Sequence, residues 1–207
     1  SKLKDLEGFK FSLSILSRIP YREDLHELFY PFAYWEVIQD LSMRYDTDPY
    51  IVVAIMREES RFDEEAKSIA GAIGLMQLMP QTASRLKSEL RLGTDFSNLY
   101  DPNLNILLGI YYFKKLMNEF KYLPIAVAAY NAGEHAVREW LRNSNYKAID
   151  EFIEDIPYEE TRNYVMRVLV SYVQYYRFNA KFVNSSSLRD TIMPIIDFSK
   201  ARFADRM

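Results

Sequence analysis

Residues that break helices are scarce in this sequence, and that scarcity constrains the fold more than any other feature. The chain has six glycines and eight prolines among 207 residues, whereas an average protein has about 7% glycine and 5% proline. A β-rich fold needs turn residues at short, regular intervals. The sequence therefore predicts an all-α fold, or nearly so, with at most a small hairpin within residues 61–79.

Several of the prolines stand where helices begin. In Asp48-Pro49 and Asp101-Pro102 an acidic N-cap precedes a proline at the first helical position, which is a strong start signal. Residues 1–45 are expected to form helical pieces broken at Pro20 and Pro31. The remaining helices are predicted at 49 to about 60, 80 to about 90, 102 to about 120, 123–131, 134–143 and about 159–180.

Composition excludes several classes of function. The charge is nearly balanced, with 26 Lys and Arg against 29 Asp and Glu, which argues against a protein that binds nucleic-acid phosphates or acidic membranes. Cysteine is absent and the two histidines, His26 and His135, lie far apart. No metal or other cofactor is therefore expected. The apolar run Ile51–Met56 is far shorter than a membrane span, and no signal peptide is visible, which leaves the compartment open.

A glutamate on an apolar helix face is the first candidate for catalysis. At helical spacing, Glu59 lies four residues after Ile55 and three after Met56, in the middle of an apolar stripe. Glu58 falls outside that stripe, beside Arg57 on the polar side. Apolar surroundings raise the pKa of a carboxyl group, as a general acid requires. The alternative is that Glu59, last in its helix, bends out to water or pairs with an arginine.

The loop after this helix has the composition of a ligand-binding segment. Gly71 and Gly74 allow a positive φ or a close approach of the backbone to a ligand. Ser68 and Gln77 offer hydrogen-bonding groups suited to amides and hydroxyls. The methionines Met76 and Met79 are as consistent with core packing as with a binding surface.

Three ordered motifs resemble those of the soluble lytic transglycosylase (Slt-type) catalytic domain. They are ES at 59–60 with Ser68 and GAIGLMQLMPQTA at 71–83, then AAYNAG at 128–133, then IPYEETRNYV at 156–165. The resemblance covers about residues 30–180. It implies a lysozyme-like helical domain with a substrate groove over 31–180, preceded by a helical segment, 1–30, that could be the remnant of an upstream helical domain. Residues 181–207 would form a C-terminal tail.

The resemblance also implies a role for individual residues. Glu59 matches the catalytic acid/base of the family, and Glu58 stands where the large enzymes often have Gln. The positions implied to contact the glycan or its peptide are Ser68 and Gln77 as polar groups, Met79 as an apolar wall, Tyr130 near the reacting sugar, Asn131 beside it, and the acidic Glu160.

The implied activity is cleavage of peptidoglycan strands between N-acetylmuramic acid and N-acetylglucosamine, giving 1,6-anhydro ends without water. The partners would be glycan strands rather than nucleic acid, and the location the periplasm or cell envelope. A hydrolase of the lysozyme or chitinase type on the same fold is one alternative, and a catalytically silent glycan-binding module is another. Hydrolysis usually needs a second carboxylate. The nearest, Asp63, belongs to the acidic run 63–65, which is expected to be a solvated surface.

Overall fold

The secondary structure of the described chain is helical, and this confirms the predicted fold class. A computed structural model describes residues 20–93, 98–144, 146 and 148–180. A short 3-10 turn at Glu23–Leu25 comes first. The α-helices that follow are α1 His26–Phe29, α2 Trp35–Arg44, α3 Pro49–Ser60, α4 Pro80–Glu89, α5 Pro102–Phe120, α6 Leu123–Ala132, α7 Glu134–Asn143, α8 Ile149–Glu154 and α9 Glu159–Ala180.

Local capping explains why the helix starts are predictable. The Asp48 side chain accepts a hydrogen bond from the backbone N–H of Tyr50 at 2.8 Å, and Pro49 occupies the first turn of α3. At the start of α5, the Asp101 carboxylate accepts from the N–H of Leu104 at 2.8 Å. Each aspartate satisfies a backbone donor that has no partner inside the helix.

Two sequence expectations need correction. The first is the hairpin within 61–79: no strand forms in the described residues, and the segment contains only isolated antiparallel bridges, Lys67 with Ile73 and Ile73 with Leu78. Positive φ angles at Arg61, Phe62, Gly71, Gly74 and Gln77 interrupt the segment too often for an extended stretch. The second is α8, which no sequence pattern predicted although Ile149, Phe152 and Ile153 are buried at helical spacing.

The chain divides into two compact units at a boundary inside α5. The first unit ends at Tyr112 and holds α1–α4 and the first half of α5; in it, α2 packs on α3. The second begins at Phe113 and holds the rest of α5 and α6–α9; in it, α6 packs against α7, α8 and α9. The predicted segments before Pro20 and after Ala180 lie outside the described residues.

No helix in the described ranges is long and apolar enough to cross a membrane. The helix with the longest buried apolar run in the first unit is α3, whose six consecutive residues Ile51–Met56 are all buried. In the second unit, α6 is buried from Pro124 to Tyr130. Both helices carry candidate site residues near their C-terminal ends, so those residues stand on rigid supports.

Candidate active site

Glu59 lies in the last turn of α3, on a helix that is buried on every side. Its side chain is half-buried, whereas Ile51–Met56 before it are fully enclosed. The helix ends because Arg61 and Phe62 both adopt left-handed backbone conformations, with φ of 53° and 66°. Such conformations are unfavourable for non-glycine residues and cluster at functional sites. The position of Glu59 is therefore fixed by a buried helix and an abrupt turn.

Glu58 is enclosed, which corrects its expected setting. The sequence placed it on the polar side beside Arg57, and the two side chains do form an ion pair. That side is not solvated, however, because the Glu58 side chain is only 9% exposed. A helical wheel assumes that one face meets the core and the other meets water. On α3 both faces are covered, so the wheel does not separate the two glutamates by exposure.

Arg57 fixes this part of the helix to the segment before α2. Its Nε donates to the backbone carbonyl of Phe29 at 3.0 Å, and its guanidinium lies 4.5 Å above the ring centroid of Tyr30. Burial is the main cause that raises the pKa of Tyr30. Arg57, two places before Glu59, thus holds the end of α3 against segment 26–30 through a hydrogen bond and a cation–π contact, and it also pairs with Glu58 on its own helix.

Ser68 and Gln77 both help to hold the loop between α3 and α4. The Ser68 hydroxyl oxygen accepts from the N–H of Ala72 at 3.0 Å. Gln77 has a φ of 45°, and its side-chain amide donates to the carbonyls of Gly74 at 2.8 Å and Ala66 at 3.2 Å. Both side chains are half-buried. Each keeps a polar atom for a ligand, since the Ser68 hydroxyl hydrogen and the Gln77 carbonyl oxygen take no part in these bonds.

The two methionines of this loop have different settings. Met76 is fully buried, whereas Met79 is 42% exposed at the start of α4. Core packing therefore accounts for Met76, and Met79 is exposed as an apolar wall would need to be. The sequence left both assignments open because the residue type alone carries no directional information.

The acidic run 63–65 is less solvated than expected. Asp63 and Glu64 are half-buried, and only Glu65 is exposed. The hydroxyl of Tyr34 donates to Glu64 at 3.0 Å, and the Asp63 carboxylate accepts from the N–H of Glu65 at 2.9 Å. Tyr34 itself begins α2 with a left-handed φ of 57°. These carboxylates therefore take part in local structure rather than forming a solvated surface.

The Tyr34 contact predicts an alkaline effect on stability. Burial first, and then the hydrogen bond to Glu64, raise the pKa of Tyr34 above its ordinary value. The folded state thus holds this proton more tightly than the unfolded chain, so Tyr34 makes the free energy of unfolding fall as pH rises above about 10. We expect urea unfolding between pH 8 and 11 to show a shallower alkaline decline in Tyr34→Phe than in wild type. The control is Tyr158→Phe at an exposed tyrosine; equal declines in all three proteins would contradict the prediction.

In the second unit, Tyr130 and Asn131 lie in the last turn of α6. Tyr130 is 8% exposed, and its ring makes an edge contact with Phe113 at 6.3 Å between centroids. The side-chain oxygen Oδ1 of Asn131 accepts a hydrogen bond from the hydroxyl of Thr161 at 2.7 Å. Thr161 is buried and directly follows Glu160, which is exposed at the start of α9. The hydrogen bond between Asn131 and Thr161 thus brings the second and third motifs together. The sequence did not single out Thr161, although it lies inside the third motif.

The hydroxyl of Tyr130 provides a second prediction. If it contacts the reacting sugar, Tyr130→Phe should lower turnover per folded molecule by more than the change in stability explains. A purely structural hydroxyl would instead cost about 1 kcal/mol of stability and leave turnover per folded molecule unchanged. Thermal melts and kinetics on the same preparation separate the two outcomes.

No cluster of three or more His, Cys, Asp or Glu that could hold a metal ion occurs among the described residues. The candidate groups are thus carboxyl, hydroxyl, amide and thioether side chains. In the first unit they are Glu59, Ser68, Gln77 and Met79, and in the second Tyr130, Asn131 and Glu160. In the first unit, the half-buried Glu59 carboxyl lies at the end of α3, and the polar side chains of Ser68 and Gln77 lie on the loop that follows. Such a set of groups is suited to proton transfer on a polar uncharged substrate such as a sugar.

Comparison with known proteins identifies a family match that covers more than half of this chain. Residues 36–153 match the family model of the transglycosylase SLT domain. That range contains all of the candidate residues except Glu160. The soluble lytic murein transglycosylase of Escherichia coli K12 is 40% identical over 158 residues, covering 72% of this chain and 24% of that protein. The membrane-bound lytic murein transglycosylase C of Actinobacillus pleuropneumoniae serotype 5b is 34% identical, covering 60% of this chain and 37% of that protein.

Solved structures agree with the sequence matches. An inactive Glu-to-Gln mutant of the lytic transglycosylase Slt from Pseudomonas aeruginosa superposes with a TM-score of 0.80 at 32% identity, covering 98% of this chain and 32% of that chain. The 70-kDa soluble lytic transglycosylase of E. coli gives a TM-score of 0.74 at 31% identity, covering 90% of this chain and 31% of that chain. The chain spans about a quarter of the length of the soluble curated relatives it matches.

Proposed function

Because this chain belongs to the transglycosylase SLT domain family, we propose that it is a peptidoglycan lytic transglycosylase. Its substrate would be the β-1,4 bond between N-acetylmuramic acid and N-acetylglucosamine, and its product a 1,6-anhydro-N-acetylmuramic acid end. The observation that carries the proposal is the placement of Glu59, a half-buried carboxyl at the end of a buried helix, inside the matched range.

The mechanism needs one carboxyl group with two successive roles. Glu59 in its acid form donates a proton to the glycosidic oxygen while the bond from that oxygen to C1 of the muramic acid breaks. The N-acetyl group of the same sugar stabilises the positive charge at C1. The C6 hydroxyl then attacks C1, and the Glu59 carboxylate accepts the hydroxyl proton. The proton lost in the first step is regained in the second, and no water is consumed.

The intramolecular attack explains why one carboxyl is enough. Ordinary glycosidases pair the acid with a second carboxylate that acts as nucleophile or activates water. Here the nucleophile is part of the substrate, and its proximity to C1 replaces an encounter with water. Asp63 and Glu64 have the local partners described above, which weighs against either as the water-activating base that a hydrolase would require.

The other candidate residues would bind the glycan. We assign Ser68 and Gln77 to polar contacts and Met79 to an apolar wall, and in the second unit Tyr130, Asn131 and Glu160 to the sugar near the reaction or to its peptide. The half-buried amides and hydroxyls suit uncharged sugar groups. The catalytic domain would extend over 31–180, and its substrate would place the protein in the periplasm or cell envelope.

Digestion of purified peptidoglycan tests this proposal. Mass spectrometry of the released muropeptides should show 1,6-anhydro ends, each lighter by one water than the hydrolytic product. Reducing ends would instead mean that the protein is a hydrolase of the lysozyme type. An absence of release, with glycan binding intact, would mean a silent binding module. Each alternative outcome contradicts the proposed activity in a distinguishable way.

A further inference from the structure

A fully buried asparagine on α5 holds the candidate glycan-binding loop. Asn105 is 0% exposed, and a buried amide is costly unless its polar atoms are hydrogen-bonded. Its Oδ1 accepts from the N–H of Met76 at 2.7 Å. Its Nδ2 donates to the carbonyls of Ile73 at 2.9 Å and Leu99 at 2.8 Å. The amide oxygen and both amide hydrogens are thus used.

Asn105 binds this loop at the residue that closes it and at an N–H inside it. Ile73 and Leu78 exchange two backbone hydrogen bonds of 3.0 Å, which closes a four-residue loop from Gly74 to Gln77. Inside it, Gln77 N–H donates to the Gly74 carbonyl at 3.1 Å. The Met76 N–H donates to Asn105 Oδ1, and the Ile73 carbonyl accepts from Asn105 Nδ2 in addition to the Leu78 N–H. The shape of the loop therefore depends on the Asn105 side chain, which comes from helix α5.

Two glycines bring this loop unusually close to α5. A Cβ atom on Gly74 would lie 2.5 Å from Asn105 Nδ2, and one on Gly109 would lie 2.7 Å from Met76 Cγ. Gly109 stands one turn after Asn105 on α5, so both contacts are on the same face of that helix. Loop and helix are thus in close contact at two points, which leaves Met76 little room to move.

We propose that Asn105 is a positioning residue for substrate: by fixing Gly74–Gln77 it presents Gln77 and Met79 to the glycan. This inference rests on the function proposed above. Gln77 depends on the network directly, because its strained backbone follows Met76 and its amide hydrogens are held by the Gly74 and Ala66 carbonyls. If the loop relaxes, the Gln77 carbonyl oxygen and the Met79 side chain change position together.

A purely structural asparagine would behave differently on substitution. Loss of its hydrogen bonds would lower stability, but those molecules that remain folded would bind glycan as wild type does. A positioning residue changes the binding of the folded molecules. The two roles are therefore separated by affinity per folded molecule and by the local exchange of the loop amides, and not by stability alone.

The experiment compares Asn105→Ala with Ile106→Ala, which removes buried side-chain volume from the neighbouring position of the same helix. Asn105→Ser replaces the amide with a single hydroxyl group and serves as the milder variant if the alanine variant folds poorly. Binding of the N-acetylglucosamine tetramer is measured by calorimetry and corrected for the folded fraction. Hydrogen exchange of the Met76 amide is measured on the same proteins, with α3 amides as the internal reference.

We expect Asn105→Ala to weaken tetramer binding about tenfold and to speed Met76 exchange at least about tenfold, while Ile106→Ala changes neither beyond its effect on stability. In kinetics on peptidoglycan, KM should rise more than kcat falls. Wild-type affinity in the folded Asn105 variants would overturn the proposal, even if their melting temperature drops. A wild-type protein that binds tetramer but releases no anhydro ends would refute the proposed reaction and leave the positioning result standing; one that binds no glycan would refute both.

Discussion

Replacement of Glu59 by glutamine is expected to abolish most turnover and leave the fold intact. An amide neither donates the proton that the leaving oxygen needs nor accepts the one released by the C6 hydroxyl. General acid–base catalysis contributes about 10²–10⁴-fold. In the proposed mechanism both the acid and the base role belong to Glu59, so the loss should reach at least the upper part of that range. Release of anhydro muropeptides from peptidoglycan measures it, and circular dichroism and a thermal melt verify the fold.

The adjacent glutamate is the matched control. Glu58→Gln makes the same chemical change one position earlier on the same helix, and we expect near-normal turnover per folded molecule. Its cost should appear as a loss of stability, about 1–3 kcal/mol for weakening a hydrogen bond to a charged group, because the ion pair between Glu58 and Arg57 is lost. If Glu58→Gln is inactive and Glu59→Gln is active, the catalytic acid is Glu58 and the proposed assignment to Glu59 is wrong.

The helix starts could be predicted because the signals for them are local. Asp48-Pro49 and Asp101-Pro102 encode a cap within two residues, and the caps form as expected. The short helix α8 was missed for a local reason as well. Its N-cap, Ala148, offers no side-chain acceptor, and six residues include too few turns for periodicity to stand out.

The surroundings of the candidate site were harder to predict because they depend on contacts distant in sequence. The helical wheel placed Glu58 on a solvated face, but its partner Arg57 is covered by Phe29 and Tyr30, about 28 residues earlier. Asn105 was missed because its partners, Ile73 and Met76, lie about 30 residues away. One signal was present: an asparagine directly between the apolar residues Leu104 and Ile106. The resemblance named the residues that would face the sugar but not those that hold them.

The second large effect is expected from Gly74→Ala. The φ of Gly74 is +77°, and the new Cβ would lie 2.5 Å from Asn105 Nδ2 and 2.7 Å from the Leu99 carbonyl oxygen. A left-handed conformation costs an L-residue about 1–2 kcal/mol, and forcing an atom into a packed core adds about 1–3 kcal/mol. The sum, about 2–5 kcal/mol, is a large share of the stability of a typical domain. Urea unfolding should show this loss, and tetramer binding by the molecules that remain folded should weaken as in Asn105→Ala.

Alanine substitutions at two other glycines separate the cost of backbone strain from the cost of steric overlap. Gly71 has a φ of +92° with no atom within 4 Å of the place that an added Cβ would take, and Gly93 has neither a positive φ nor a neighbour at that distance. Gly71→Ala should therefore cost only the backbone strain, and Gly93→Ala should be nearly neutral or slightly stabilising through the unfolded state. The order Gly93, Gly71, Gly74 in increasing loss of stability tests the reasoning. Equal losses at Gly71 and Gly74 would mean that the contact with Asn105 is easily relieved, and the loop would then be held by its backbone conformation rather than by α5.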